Sequence, residues 1–357
     1  PTSGLGATFT APSLASSMHR DMYLSSSLMN GVFIGPAKAY ALYIVASHTC
    51  ASCSLRASRS SKSNRIHPYH CSMTVQEAYT TLMYRLFDLY DDRESANIAN
   101  MVIENITDLQ KIDRILNKKM LLNPGQMQQF AAFSDALLLH KPVQYVLNEA
   151  WFAAMKFYVN ENVLIPRPET EELVNWVVKE TIACNLQTAS ILDIGTGSGC
   201  IPIALKSKLT GADIHGLDVS GAALDVAKIN AAKLQASVKF YQADILNEPS
   251  LRQFSSFDII VSNPPYIKQS ENVGMRQNVL LYEPHLALFV PDDDALMFYK
   301  AIAVFGLNHL TTNGLLFFEI NEVHAKEVAQ MLSANGYKEI ETRVDLQGKE
   351  RMIKAKL

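Results

Sequence analysis

From Ser190 to Leu357, short runs rich in Val, Ile, Leu and Phe alternate with stretches whose apolar residues recur at helical spacing, and no other feature narrows the possible folds so far. Strands are expected at 190–194, 213–217, 238–241, 257–261, 314–320, 338–343 and 352–355, with helices at about 199–208, 221–234, 294–310 and 323–335. Alternation of this kind implies crossover connections, hence parallel strands covered by helices on both faces. The expected fold class is therefore α/β, a doubly wound, mostly parallel seven-stranded sheet. Sheets of this type bind ligands outside the carboxyl ends of their strands. The residues that close each strand are where chemistry is to be sought.

The first strand runs through Asp193 into Gly195-Thr196-Gly197-Ser198-Gly199 before a helix opens. Glycines there let backbone come close to a ligand, but the spacing is G-x-G-x-G and not the G-x-G-x-x-G of a dinucleotide fingerprint. A tight glycine loop after an acid suits a ligand with an α-amino group and no pyrophosphate, which points to S-adenosyl-L-methionine over NAD. Asp218 closes the second strand, where a carboxylate can accept both hydroxyls of a ribose. Asp244 follows the third strand and can meet an adenine amino group, with Ile245 packing on the ring. Taken singly, each Asp could be a helix N-cap, the commoner role for an Asp after a strand. The fourth strand ends in Ser262-Asn263-Pro264-Pro265-Tyr266. Neither proline can donate a backbone hydrogen bond, so the carbonyls before and within the pair are free to act as acceptors beside the Asn263 amide oxygen. Tyr266 adds a flat wall. Such a cluster suits a planar –NH2 group, although Asn-Pro and Pro-Pro are also ordinary turn punctuation. What separates the two readings is that loop, two acids and Asn-Pro-Pro-Tyr occupy the ends of four successive strands, in order.

Upstream, Thr74-Val-Gln-Glu77 has the pattern of a capping box, and apolar residues at Val75, Ala78, Tyr79, Leu82, Leu86 and Tyr90, then Ile98, Met101, Val102 and Ile106, share helical faces. A second capping box is expected at Thr107–Gln110, and Asn123-Pro124 places an N-cap before a proline at the first helical position. Residues 73–140 thus read as a small helical domain suited to recognising a substrate or to capping the structure. Residues 141–165 alternate loosely and read as a β-hairpin linker. The catalytic domain is expected over 166–357. Arg167, set between two prolines, reads as a guanidinium held toward a substrate or as a loop stiffener. Residues 1–72 read as a leader or extension: Ser- and Arg-rich, nearly free of acids, and resembling an organellar transit peptide. The apolar patch at 39–46 is too short to span a bilayer.

Residues 1–73 hold six Lys/Arg against one acid, Asp21, which leaves 26 basic and 34 acidic side chains, a charge of −8, in the remainder. A body that acidic is poorly matched to a phosphate backbone. The five cysteines, at 50, 53, 71, 184 and 200, form no regular framework and favour a reducing compartment. Cys50 and Cys53 have zinc-ligand spacing, but His67, His70 and Cys71 do not complete a known finger, and no metal site is expected.

Taken together, the motifs resemble class I methyltransferases, and Asn263-Pro264-Pro265-Tyr266 resembles the branch that methylates amino and amide nitrogens. From about Thr74 onward the chain resembles the release-factor glutamine methyltransferases, the HemK/PrmC family. The resemblance is carried by Pro142-Val-Gln-Tyr145, Leu164-Ile-Pro-Arg-Pro-Glu-Thr-Glu171, the glycine loop, Ser262-Asn-Pro-Pro-Tyr-Ile267, Tyr282-Glu-Pro-His-Leu-Ala-Leu288 and Asp345-x-x-Gly348-x-x-Arg351. The sequence departs from the pattern at Asn148 and Asn321, where glycine is usual. The resemblance implies S-adenosyl-L-methionine as cofactor, held by Gly195, Thr196, Gly197, Ser198, Gly199, Asp218, Asp244, Ile245 and Asn263. It implies peptide chain release factors as protein substrate, their Gly-Gly-Gln glutamine lying against Asn263, Pro264, Pro265, Tyr266 and Arg167. Asn263 and Pro264 are the expected catalytic pair.

An amide nitrogen is a weak nucleophile because its lone pair is delocalised, so the enzyme must hold it in line with the methyl donor. Positioning of that sort supplies on the order of 7–11 kcal/mol. The competing enzyme reading is a DNA or RNA adenine-N6 methyltransferase, which shares Asn-Pro-Pro-Tyr but needs a basic surface. A binding protein that kept the fold and lost catalysis would not need Asn263 and Asp218 intact. A cytoplasmic monomer that binds neither nucleic acid nor membrane is expected, or a mitochondrial one if the leader is a transit peptide.

Overall fold

The computed structural model describes residues 72–357 except Gln187 and Gln253. The leader and the Cys50/Cys53 reading lie outside the described residues. The helical part comprises α1 (Val75–Leu86), α2 (Asp92–Thr107), α3 (Lys111–Leu116) and α4 (Pro124–Leu138). Thr74 opens α1 with a full capping box: its hydroxyl accepts from Glu77 N, and the Glu77 carboxylate accepts from Thr74 N at 2.8 Å. Asn123 opens α4 in the same way, with Gln126 reaching back. The box expected at Thr107–Gln110 does not form. Helix α2 runs on to Thr107, whose hydroxyl donates to Ile103 O at 2.6 Å, and the chain then leaves through Asp108 in the left-handed region. Val75, Ala78, Leu82 and Leu86 pack against Ile98, Val102, Ile103 and Ile106, with Phe130 and Leu137 closing the small core.

Within 141–165 the hairpin occupies only β1 (Ala150–Phe152) and β2 (Met155–Phe157), and one helical turn, α5 (Val143–Leu147), precedes it. Asn148 ends that turn at φ 53°. Asn tolerates the left-handed region better than other non-glycine residues, which explains how it stands where glycine is usual.

The catalytic part follows as α6 (Pro168–Ala183), β3 (Ser190–Ile194), α7 (Cys200–Lys208), β4 (Asp213–Asp218), α8 (Gly221–Lys233), β5 (Val238–Gln242), α9 (Glu248–Leu251), β6 (Phe257–Ser262), β7 (Ile267–Lys268), α10 (Gln277–Tyr282), β8 (Phe289–Val290), α11 (Met297–His309), β9 (Leu310–Glu319), α12 (Ala325–Ala334), β10 (Lys338–Val344) and β11 (Glu350–Lys356). Seven strands form one sheet in the order β10-β11-β9-β6-β3-β4-β5. Neighbours from β9 to β5 run parallel, whereas β11 is antiparallel to both β9 and β10. Leu173, Val174, Trp176 and Val177 of α6 cover one face together with α7. Tyr299, Ile302 and Ala303 of α11 and Val328 and Leu332 of α12 cover the other. The strand order reverses between β3 and β6, and a crevice for ligands opens at such a switch point. The small pair β7–β8 was not apparent in the sequence, since two-residue strands carry no periodicity.

Candidate active site

Register sets the site. Ile194 pairs with Ser262, and Ser262 pairs with Phe318, so the ends of β3, β6 and β9 lie side by side. The Ser262 hydroxyl ties the first two together by donating to Ile194 O at 2.6 Å. Beyond β3, the amides of Gly195 and Thr196 both donate to Leu217 O, which folds the glycine loop back over β4. Gly195 and Gly197 have φ of 76° and 51°, and open space lies where a Cβ would stand on either. The loop is therefore a concave cradle that a side chain would fill.

Beneath it, Asp193 is completely buried, and neither carboxylate oxygen has a hydrogen-bond partner. Burial pushes its carboxyl up to about 7; the nearby Thr196 hydroxyl tempers this without forming a well-aligned hydrogen bond, and the Asp218 charge adds to it. The hydroxyls of Thr196 and Ser198 are likewise buried and without partners. Orphaned buried acceptors are costly unless a ligand completes them. An unpaired carboxylate below a glycine cradle fits a ligand bearing a cationic amino group.

Asp218, half-buried, accepts from Gly197 N at 2.8 Å through Oδ2 and from Ser220 N at 2.9 Å through Oδ1. Burial raises its carboxyl, and these backbone N–H groups oppose the rise. Each oxygen keeps a second lone pair for a ligand hydroxyl. Asp244 uses Oδ1 to accept from Leu246 N at 2.9 Å, and Ile245 is partly buried against the core.

At the end of β6, Asn263 Nδ2 donates to Thr170 Oγ1 at 3.2 Å. Thr170, near the start of α6, donates in turn to Glu319 Oε2 at 2.6 Å. Burial pushes the Glu319 carboxyl up to about 7, opposed by Thr170, Arg351 and the Asn263 amide and reinforced by Glu169. Pro264 is buried, Pro265 and Tyr266 are half-buried, and burial together with the Glu319 charge raises the Tyr266 phenol. Arg167 has a partner inside the chain: its Nη2 donates to both oxygens of Glu283, at 2.6 and 2.8 Å. The Glu283 side chain is 1% exposed. The pair pins the Pro-Arg-Pro segment to the end of α10.

Thr170, Glu283 and Glu319 were not singled out by sequence. Glu319 did leave a signal, as a carboxylate closing the otherwise apolar run Leu315-Leu-Phe-Phe318, and such an acid needs a buried partner. Among the described residues, no group of three or more His, Cys, Asp or Glu could hold a metal ion, and no helix is long and apolar enough to cross a membrane.

The strand order and the loops at its switch point define a class I methyltransferase fold, and residues 186–333 match a family model described as a methyltransferase domain. A release factor glutamine methyltransferase of Flavobacterium psychrophilum is 41% identical over 79% of this chain and 99% of that protein. One from Bacteroides thetaiotaomicron is 38% identical over 76% of this chain and 95% of its own length. The solved release-factor-specific protein-(glutamine-N5) methyltransferase of Alicyclobacillus acidocaldarius is 26% identical, covering 56% of this chain and 98% of that one, at a TM-score of 0.34. The chain belongs to the release factor glutamine methyltransferase family.

Proposed function

We propose that this chain uses S-adenosyl-L-methionine to methylate the side-chain amide nitrogen of the Gly-Gly-Gln glutamine in peptide chain release factors. The observation that carries this reading is the Asn263 amide, tied down through Nδ2 at the end of β6 beside the glycine loop. With its nitrogen committed, the oxygen on the other fork of the same amide is left to accept from a substrate –NH2. The Pro264 carbonyl serves as the second acceptor, and Pro265 and Tyr266 wall the slot. Two acceptors fix the plane of the amide and favour a pyramidal nitrogen, which restores nucleophilicity lost to delocalisation. Arg167 acts on this slot through its ion pair with Glu283, by holding the Pro-Arg-Pro segment in place.

Gly195, Thr196, Gly197, Ser198 and Gly199 form the cofactor cradle, Asp193 answers the cofactor's amino group, Asp218 accepts from its ribose, and Asp244 and Ile245 meet the adenine. When bound, S-adenosyl-L-methionine supplies an electrophilic methyl on a sulfonium. The chain's own share is alignment and exclusion of water, which together are enough to account for a large part of a methyl-transfer barrier. Incubation with methyl-labelled cofactor and either a release factor or duplex DNA tests the reading. Label on the Gly-Gly-Gln peptide and none on DNA is expected; label on DNA alone would establish the adenine reading instead.

A further inference from the structure

Asn263 stands at the end of β6 beside the glycine loop, and something must keep its amide the right way round. An Asn side chain has nearly the same shape when its oxygen and nitrogen are exchanged, so its orientation is decided by its partners. For a glutamine acceptor only one orientation works, because an Asn nitrogen facing the substrate –NH2 would set donor against donor. Two buried groups face the Asn263 amide on its nitrogen side. Thr170 and Glu319 are each 3% exposed, and the Thr170 hydroxyl sits between the other two, 3.2 Å from Asn263 Nδ2 and 2.6 Å from Glu319 Oε2. A hydroxyl has one proton. An ionised Glu319 can only accept, so Thr170 must spend its proton there and can meet Asn263 only as an acceptor. Glu319 is anchored in turn by the end of β9, where Tyr299 donates to its main-chain carbonyl at 3.2 Å.

We infer that Thr170 and Glu319 are positioning residues whose relay from β9 through α6 fixes the Asn263 amide with its oxygen toward the substrate. The inference rests on the glutamine-methylating reading and deepens it. Neither residue touches the acceptor; both act through Asn263. A second consequence concerns the charge state of Glu319. The groups facing it are Thr170, Asn263, Glu169, Arg351 and Tyr266, with Tyr299 and Cys200 also near enough to feel its charge. A protonated Glu319 could donate to Thr170, free the hydroxyl proton for Asn263 and admit the reversed amide. The relay enforces a single orientation only while Glu319 is ionised.

The test is a double-mutant cycle on the full chain with methyl-labelled cofactor and a release factor. Thr170→Val should lower kcat at least about tenfold while leaving the KM for release factor and the cofactor Kd within about twofold. Thr170→Ser, which keeps the hydroxyl, should restore most of the rate. In an Asn263→Ala background, Thr170→Val should cost less than about a further twofold, because its effect passes through an amide that is gone. Glu319→Gln runs through the same cycle if the valine variant does not fold. Equal losses in both backgrounds, or full turnover of Thr170→Val, would overturn the relay. An independent readout is hydrogen exchange at the Asn263 side-chain –NH2, whose NMR signal is identified by its loss in Asn263→Ala. It should be protected in the parent chain and exposed in Thr170→Val; exchange as fast as that of a surface Asn in the parent chain also overturns the relay. If the parent chain leaves the release factor unlabelled, the glutamine reading has failed by itself, and the exchange measurement still decides the relay.

Discussion

Two buried acids carry most of the chemical tension in this site. Asp193 and Glu319 both titrate near 7 in the folded chain, well above ordinary values of 3.8 and 4.5. The folded state therefore holds protons that the unfolded state releases between about pH 4 and 7, and stability falls as pH rises through that window. Above pH 7 the penalty is on the order of 3–5 kcal/mol for each group. Glu319 has Thr170 as a partner, whereas Asp193 has none in the chain, which fits the ligand role proposed for it. Asp193→Asn should make the ligand-free chain more stable at pH 8, with a higher urea midpoint, and the gain should shrink toward pH 5. The same variant should bind S-adenosyl-L-methionine more weakly by calorimetry, so stability and affinity move in opposite directions. Asp218→Ala should weaken cofactor binding by roughly 1–3 kcal/mol, since it removes the proposed ribose acceptor and the anchor of the Gly197 amide. Unchanged affinity in either variant would remove that carboxylate from the cofactor site.

At the scale of elements, an ion pair helps to hold the segment leading into α6. Glu283 is buried and Arg167 is 35% exposed, so removing the arginine leaves a carboxylate with little else to neutralise it. Arg167→Ala should cost about 2–3 kcal/mol in denaturant unfolding, discounted from the 3–5 of a fully buried pair because solvent reaches the guanidinium. Arg167→Lys should recover only part, as a single ammonium cannot reproduce the fork. Adding Glu283→Gln to Arg167→Ala should recover more than the lysine does, which marks the stranded charge as the cause. The central strands of the sheet were readable in sequence because they are apolar runs bounded by glycine, proline or an acid, whereas β5 and β10, only partly buried, were marked by their place in the alternation. Other features were not readable. The Thr107 box failed because a capping pattern does not say where the preceding helix stops. Strands β7 and β8 are too short for a period. The Asn263–Thr170–Glu319 chain joins residues remote in sequence, and only the parallel register of β6 with β9 and the placement of α6 bring them together.

At the scale of the molecule, His70–Leu357 forms one compact unit, and its core begins almost at once. Leu122 N donates to Met73 O at 2.9 Å, Thr74 bridges to Leu121, and Val75 and Ala78 are buried in the helical core. The bundle also reaches the catalytic part directly. Glu94 of α2 pairs with Arg276 at 3.0 Å, and the Tyr282 hydroxyl donates to Leu139 O at 2.8 Å. The alignment with the Flavobacterium protein spans 283 residues, 79% of this chain and 99% of that protein. These contacts imply a clear threshold. A chain starting at Ser72 should keep its melting temperature within about 2 °C of the full chain and its methyl transfer within about twofold, since every core contact named above is retained. A chain starting at Thr81 loses the Thr74 cap, worth about 1 kcal/mol, together with the buried Val75 and Ala78 and half of α1. It should melt several degrees lower, and turnover should fall with it because the bundle abuts α10 and the loop that carries Glu283. Thermal scans and labelled-methyl assays on the two truncations decide the matter. Loss of folding in the chain starting at Ser72 would show that residues before it are part of the core, and full activity in the chain starting at Thr81 would show that the bundle has no part in transfer.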